Sequence, residues 1–188
     1  TRSTPKPSSA ASDVYKRQSK YYLTILGVIL LTVSSKISIP FYPVPMTLQT
    51  LVVYFIAASM GMVGFYSTFI YVVLGTLGLP IFANGGGIGY IFSPTFGFLY
   101  GMVVAAFFIS FIFNKEVSTN LIKLSLTIFI GALIIFLCGL SHLSFFIGFE
   151  QAVTVGLMPF LYSEFLKILL AIAIIFGLIH RVNSKNHK

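Results

Sequence analysis

The chain has 188 residues, of which 57% are hydrophobic and 9% charged, whereas a soluble domain carries roughly 25% charged side chains. This composition excludes an ordinary water-soluble protein. The formal net charge is +8, but the basic residues lie at chain ends and in short connections rather than in a stripe with exposed aromatic residues, which argues against nucleic acid as a partner. Apolar stretches near the roughly 20 residues that cross a bilayer recur along the chain. They predict an all-α integral membrane protein, a bundle of six transmembrane helices in contact with membrane lipid.

In chain order, a polar segment comes first. Residues 1–18 are rich in Ser and Pro and lack helical periodicity, so we expect a disordered leader or a sequence artefact. Residues 19–182 then form the six-helix membrane domain, and residues 183–188 form a polar cytoplasmic tail. Residues 141–157 are not assigned to an element. The predicted helices cover residues 20–35, 47–60, 64–79, 94–113, 121–140 and 159–180.

Two connections between these helices have unusual compositions. The first, ISIPFYPVPMT, contains three prolines, each of which removes a backbone donor, so no helix persists there. The second, IFANGGGIGYIFS, has a run of glycines that is not followed by the Lys-Ser or Lys-Thr of a P-loop. Its glycines suit a flexible lid over an outward-facing cavity. A plain connection between two helices is the alternative.

The distribution of basic residues predicts the orientation. If both chain ends lie on one side of the membrane, Lys36 stands alone on the opposite side. Basic loops favour the cytoplasm, so we expect both termini to be cytoplasmic and the two unusual connections to face outward. The residues on the predicted cytoplasmic side are Lys20, Lys115, Lys123, Arg181, Lys185 and Lys188.

Charged and amide side chains inside apolar segments are the candidate functional residues. Glu164 and Lys167 are three residues apart in the last helix, hence on one face and within reach of each other. Each charge near a helix centre costs on the order of 2.5 to 3.5 kcal/mol, so such residues usually face the bundle interior or a polar cavity. A salt bridge that only ties helices together is the alternative. Gln49, just inside the second helix, is a further polar candidate, although Gln in such helices more often bonds to a neighbouring helix.

Other reactive residue types form no pattern. The single cysteine, Cys138, lies in an apolar run, so neither a disulfide framework nor a cysteine metal cluster is predicted. His142, His180 and His187 are scattered without a second ligand at metal spacing. Neither a nucleophile motif nor HExxH is present. We therefore predict no enzyme activity, no catalytic residue, no metal and no cofactor.

Four ordered strings carry a family resemblance: IPFYPVPMTLQT, YVVLGTLGLPIFANGGG, SPTFGFLYG and MPFLYSEFLK. Over residues 20–180 the chain resembles the BioY family, the biotin-specific substrate-capture (S) components of energy-coupling-factor (ECF) transporters. The resemblance implies a six-helix protein of the bacterial cytoplasmic membrane that binds biotin from outside, covered by the first and third loops. It also implies partners, namely a membrane T component and two cytoplasmic ATPase subunits.

The resemblance also suggests the composition of the binding site. Glu164 and Lys167 match the acid and the lysine of the family's binding helix, although the family generally has Asp where this chain has Glu. Gln49 and Asn84 offer amide donors and acceptors, and Tyr90 offers an aromatic face. The small-residue spacing by which S components dock on the T component is not evident, since Gly27 is followed four residues later by Leu31. The predicted substrate-binding residues are Thr47, Gln49, Asn84, Tyr90, Glu164 and Lys167.

Two other functions stay open at the level of sequence. Because the chain has no nucleotide-binding motif, it cannot itself couple ATP hydrolysis to transport. The main interpretation is the capture subunit of an ATP-driven transporter. The first alternative is a stand-alone secondary transporter or facilitator for biotin or another small vitamin. A membrane interaction protein without a substrate is the third possibility.

Overall fold

A computed structural model describes residues 9–113 and 120–186, and the side chains of residues 18–113 and 120–181. Over these residues the protein is mostly helical. Two short antiparallel strands, β1 (Ser38–Ile39) and β2 (Met46–Thr47), form a hairpin in the Pro-rich connection. A 3₁₀ helix covers Ile88–Phe92. The α-helices are α1 (Ser9–Lys36), α2 (Gln49–Met60), α3 (Met62–Thr76), α4 (Phe96–Ile112), α5 (Leu121–Ile147), α6 (Phe149–Gly156) and α7 (Met158–Asn186).

The helix boundaries depart from the predictions at several places. Helix α1 already begins at Ser9, so the expectation of a disordered leader is wrong from that residue onward; residues 1–8 lie outside the described part. Ala, Lys, Arg and Gln in this segment are good helix formers and let the helix extend beyond its apolar part. Residues 141–157 are helical as the end of α5 and as α6. Helix α7 continues through the predicted tail to Asn186.

Glycines determine where α2 ends and how closely its neighbours approach. Gly61 separates α2 from α3 with a φ of 55°, a left-handed conformation that favours glycine. A Cβ atom at Gly64 would meet the backbone of Ile56, so α2 and α3 pack with backbones in contact. Gly97 and Gly101 lie against α5 in the same way, facing His142 and Cys138. Gly97 and Gly101, four residues apart, therefore let α4 pack closely against α5.

Helix α2 lies at the centre of the bundle and is short. It contacts α1, α3, α4 and α7, and its 12 residues extend about 18 Å at 1.5 Å per residue. The neighbouring α5 has 27 residues and α7 has 29. The first residue of α2, Gln49, is therefore buried within the bundle rather than at its surface, with 3% of its surface exposed. The space above this buried helix end is where the site lies.

The outer faces of the bundle are strongly apolar. Two helical segments, Leu121–Ile147 and Met158–Arg181, are long and apolar enough to cross a membrane, and three shorter helices are also apolar. Large apolar side chains such as Phe111 and Phe145 are exposed, at 69% and 88%. A soluble monomer rarely exposes apolar side chains over so much of its surface.

Candidate functional site

A cavity of about 60 Å³ lies above the start of α2. With the solvent-open space next to it, the empty volume between its lining residues is about 590 Å³. Among the described residues, it brings together five of the six predicted site residues, from the hairpin, from α2, from the 3₁₀ helix and from α7. They are Thr47, Gln49, Tyr90, Glu164 and Lys167.

Asn84 does not join them. Its side chain is exposed in the turn between Phe82 and Gly85, and the residue that lines the cavity at this point of the described chain is its neighbour Ala83. Backbone hydrogen bonds between Phe82 and Gly85 close the turn, at 2.9 Å and 3.3 Å. Asn84 therefore lies at the tip of the turn, which directs it away from the cavity.

The carboxylate of Glu164 is the most heavily bonded polar group of the site. Its Oε1 accepts a hydrogen bond of 2.7 Å from the hydroxyl of Tyr54. Its Oε2 accepts one of 3.1 Å from Thr50 Oγ1 and one of 3.1 Å from Lys167 Nζ. Both Thr50 and Tyr54 belong to α2, four residues apart and hence on the same face. The carboxylate thus joins α7 to the central helix.

Lys167 completes this cluster. Its ammonium also donates to Thr50 Oγ1, at 3.4 Å, so it has one of its three hydrogens left over. The Glu164 carboxylate offers roughly four lone-pair positions, three of which are occupied. Both residues are nearly buried, with 4% and 9% of their surfaces exposed. The pair therefore retains one acceptor position and one donor for a ligand.

A second polar group lies at the start of α2. Gln49 Nε2 donates a hydrogen bond of 2.8 Å to the hydroxyl of Tyr71, and that hydroxyl donates one of 3.0 Å to the carbonyl of Ile81. On the other side, Thr47 Oγ1 lies 3.4 Å from Gln49 Oε1. Gln49 thus connects the hairpin to α3 and to the Gly-rich loop.

The Gly-rich loop is tied to the helices beneath it. Ser35 Oγ donates to the Ile81 carbonyl at 2.7 Å, and Lys36 Nζ donates to the Phe82 carbonyl at 2.6 Å. Gly87 N donates to Gly75 O at 2.7 Å. The loop therefore has a defined conformation with several anchors on α1 and α3. Whether it also opens as a lid stays a prediction.

Apolar and aromatic side chains form the walls. The ring of Phe82 packs between those of Tyr71 and Tyr90, with ring centroids 5.4 Å and 4.8 Å apart. Tyr90 thus contributes an aromatic ring to the wall, beside Phe82. Most of the remaining wall comes from α4, α5 and the start of α7, namely Phe98, Leu99, Met102, Ile135, Phe136 and Phe160.

Sequence reasoning missed three residues of this site. Thr50 and Tyr54 bond directly to the carboxylate, and Tyr71 bonds to Gln49. Tyr residues in apolar helices are common at membrane interfaces and in packing, so their types alone gave no signal. The spacing of Thr50 and Tyr54, four residues apart behind Gln49, is the pattern that would have indicated a polar face on α2.

A family of known proteins matches almost the whole chain. The model of the BioY family matches residues 8–184. The chain belongs to the BioY family. The match begins inside the segment that the sequence analysis set apart as a leader. It extends to within a few residues of the end of α7, so it includes every element of the site.

Several named proteins are similar to this BioY family member. It is 36% identical to the probable biotin transporter BioY of Pyrococcus horikoshii, over 81% of this chain and 91% of that protein. It is also 36% identical to the biotin transporter BioY of Thermotoga maritima, over 76% of this chain and 85% of that protein. A crystal structure of the S-component for biotin from an ECF-type ABC transporter superposes with a TM-score of 0.74 at 22% identity, covering 92% and 95% of the two chains. The predicted resemblance and the fold of an S component are therefore confirmed.

Proposed function

We propose that this protein captures biotin from outside the cell as the substrate-binding subunit of an ATP-driven ECF transporter. Its membership of a family whose named relatives are biotin transporters supports the choice of ligand. The observation that carries the proposal is the buried Glu164–Lys167 pair, which lies with Gln49 in one otherwise apolar cavity. A few polar groups among apolar walls are typical of a small-molecule site.

The polar groups of the cavity match the chemistry of a cyclic urea. The ureido group of biotin is uncharged and has two N–H donors on either side of a carbonyl acceptor. Glu164 has an acceptor position left, and Lys167 has a donor left, which suit one N–H and the carbonyl respectively. The ring and chain of biotin would then contact apolar walls such as Phe98 and Phe160.

The size of the cavity requires movement during binding. Small-molecule pockets usually enclose about 300 to 1,000 Å³, and this cavity has about 60 Å³. The hairpin loop, which contributes Val44, Pro45 and Thr47, and the loop around Phe82 border the cavity. We expect one or both to move outward when biotin enters and to close over it afterwards.

We further propose that the six apolar helices α1 to α5 and α7 lie within the membrane, with both termini in the cytoplasm. Lys20, Lys123 and Arg181 then lie near the cytoplasmic surface, and Lys36 lies near the outer one. The excess of basic residues on one side supports this orientation. It places the hairpin, the Gly-rich loop and the cavity at the outer surface, where a substrate arrives.

In this proposal the energy for uptake comes from other subunits. We found no nucleotide-binding motif in the sequence, so the proposed partners are a membrane T component and two cytoplasmic ATPase subunits. The protein alone should then bind biotin but not accumulate it.

Two measurements test the proposal. Calorimetric titration of the purified protein in detergent should show saturable binding of biotin and none of an unrelated vitamin such as riboflavin. The absence of biotin binding by folded protein would contradict the proposed ligand. Proteoliposomes that contain only this chain should not concentrate biotin, with or without ATP. Concentration driven by an ion gradient alone would instead indicate a secondary transporter.

A further inference from the structure

Tyr71 lies beneath the cavity and bonds to two groups at once. Its side chain is almost fully buried, with 1% of the residue surface exposed. The hydroxyl accepts from Gln49 Nε2 at 2.8 Å and donates to the Ile81 carbonyl at 3.0 Å. Among the described residues, Gln49 lines the cavity and Tyr71 does not. Tyr71 can therefore affect a ligand only through the residues that it holds.

The order of donors and acceptors in this chain of bonds determines the orientation of the Gln49 amide. A phenol has one hydrogen, and a backbone carbonyl can only accept, so the Tyr71 hydrogen points to Ile81. The Tyr71 oxygen then faces Gln49 as an acceptor, and only the NH₂ end of the amide can satisfy it. Rotating the amide by 180° would bring two acceptors together or would remove the Tyr71–Ile81 bond, which would leave Ser35 Oγ, at 2.7 Å, as the donor to that carbonyl.

The other end of the amide is consequently an acceptor on the side away from Tyr71. Gln49 Oε1 lies on the side of Thr47, at 3.4 Å from its Oγ1, and both residues line the cavity. A free glutamine presents either its oxygen or its nitrogen to a ligand. In this protein the oxygen lies on the side of Thr47, whose hydroxyl donates to it at 3.4 Å and leaves a second lone pair for a ligand.

We propose that Tyr71 is a positioning residue that makes Gln49 select for an N–H donor on the ligand. This inference rests on the proposed function and deepens it. The amide and charged groups of the cavity then offer two acceptors, Gln49 Oε1 and Glu164, and one donor, Lys167, beside the hydroxyl groups of Thr47, Thr50, Tyr90 and Thr95. That set matches the two N–H groups and the one carbonyl of a cyclic urea, and it disfavours a ring in which oxygen replaces an N–H.

The test compares biotin with the two cyclic carbamate analogues in which one or the other ureido N–H is replaced by oxygen. Binding of all three is measured calorimetrically for the parent protein, for Tyr71→Phe and for the control Tyr66→Phe. Tyr66 lies on the same helix with 52% of its surface exposed. We expect the parent and the control to prefer biotin over both analogues.

In Tyr71→Phe the Gln49 amide is free to rotate and can offer its NH₂ to the ring oxygen. We expect the preference for biotin over one of the analogues to fall by about tenfold, the worth of one hydrogen bond. An equal loss of affinity for all three ligands would show a purely structural role for Tyr71 and would overturn the inference. An unchanged preference for biotin over both analogues would also overturn the inference.

A second variant keeps the test decisive if Tyr71→Phe does not fold. Gln49→Met removes the amide and keeps a similar volume, so it should lose the same preference; retention of the full preference would overturn the inference. The proposed function has a separate outcome. If the folded parent does not bind biotin, the function is wrong; if it binds biotin and the analogues equally, only the role of Tyr71 and Gln49 is wrong.

Discussion

Tyr54 donates a hydrogen bond of 2.7 Å to Glu164, although the two residues are 110 positions apart in the chain. The bond joins the central helix α2 to α7. Thr50, one turn before Tyr54, bonds to the other oxygen of the same carboxylate at 3.1 Å. The charge of Glu164 is therefore balanced by Lys167 on its own helix and solvated by hydroxyl groups of a neighbouring helix. This arrangement explains how an acidic side chain is accommodated in an apolar bundle.

Removing one member of the charged pair should impair biotin binding. Lys167→Ala leaves the Glu164 carboxylate buried without a positive countercharge. Glu164→Gln leaves the Lys167 ammonium buried without a negative countercharge. We expect each variant to lose about 2 to 5 kcal/mol of binding or of stability. Biotin titration and thermal unfolding in the same detergent distinguish the two effects, with the exposed Lys123→Ala as the control. Folded variants that bind within about threefold of the parent, less than 1 kcal/mol, would exclude the pair from recognition.

The hydroxyl of Tyr54 should contribute through the carboxylate. Tyr54→Phe removes a donor to a charged acceptor without changing the shape of the core, and such bonds contribute about 1.5 to 3 kcal/mol. We expect the free energies of biotin binding and of unfolding, taken together, to fall by about that amount. Tyr66→Phe, on the exposed face of α3, should change neither. A Tyr54→Phe protein that matches the control in both measurements would indicate that the bond makes no net contribution.

The glycines of the Gly-rich loop should differ in their tolerance to substitution. A Cβ atom at Gly86 would overlap the carbonyl oxygen of Leu79, whereas one at Gly89 would meet no atom within 4 Å. We expect Gly86→Ala to displace the loop and lower both the melting temperature and the biotin affinity. Gly89→Ala, the matched control, should stay within about 0.5 kcal/mol of the parent. Equal behaviour of the two variants would contradict this packing of the loop.

Substituting Gly85, Gly86 and Gly87 together by Ala should destabilise the loop and slow the binding of biotin. Gly85 and Gly87 have φ values of 111° and 115°, which L-residues with a Cβ rarely adopt. The triple variant combines this strain with the overlap at Gly86. We therefore expect a lower melting temperature in addition to slower association of biotin measured by stopped flow. Unchanged association and dissociation rates would argue against a moving lid.

The orientation in the membrane can be tested with single cysteines. In a Cys138→Ala background, a membrane-impermeant maleimide added to intact cells should label Lys36→Cys, because α1 ends at the proposed outer surface. It should label Lys123→Cys, in the first turn of α5, only after the cells are permeabilised. The reverse pattern would place both termini outside and would contradict the proposed direction of capture.

Local patterns in the sequence were enough for much of this architecture. Apolar segments separated by proline and glycine predicted the main helices, because hydrophobicity and backbone restriction act over short distances. The three-residue spacing of Glu164 and Lys167 predicted their ion pair, now observed at 3.1 Å. Polar Ser and Pro residues suggested disorder before residue 19, but helix α1 extends to Ser9 because its neighbouring residues also form helix well.

Tertiary structure alone decided which residues from different helices meet. Thr50 and Tyr54 reach Glu164 only because α2 packs against α7, and Tyr71 reaches Gln49 only because α2 packs against α3. Asn84 had the chemistry of a ligand-binding residue, yet the closed turn between Phe82 and Gly85 directs it to the surface. The membrane environment, the helices and the ion pair within one helix could be predicted from the sequence, because all of them depend on residues close together in the chain. The shape of the cavity depends on contacts between residues far apart in the chain, and these exist only once the helices have packed.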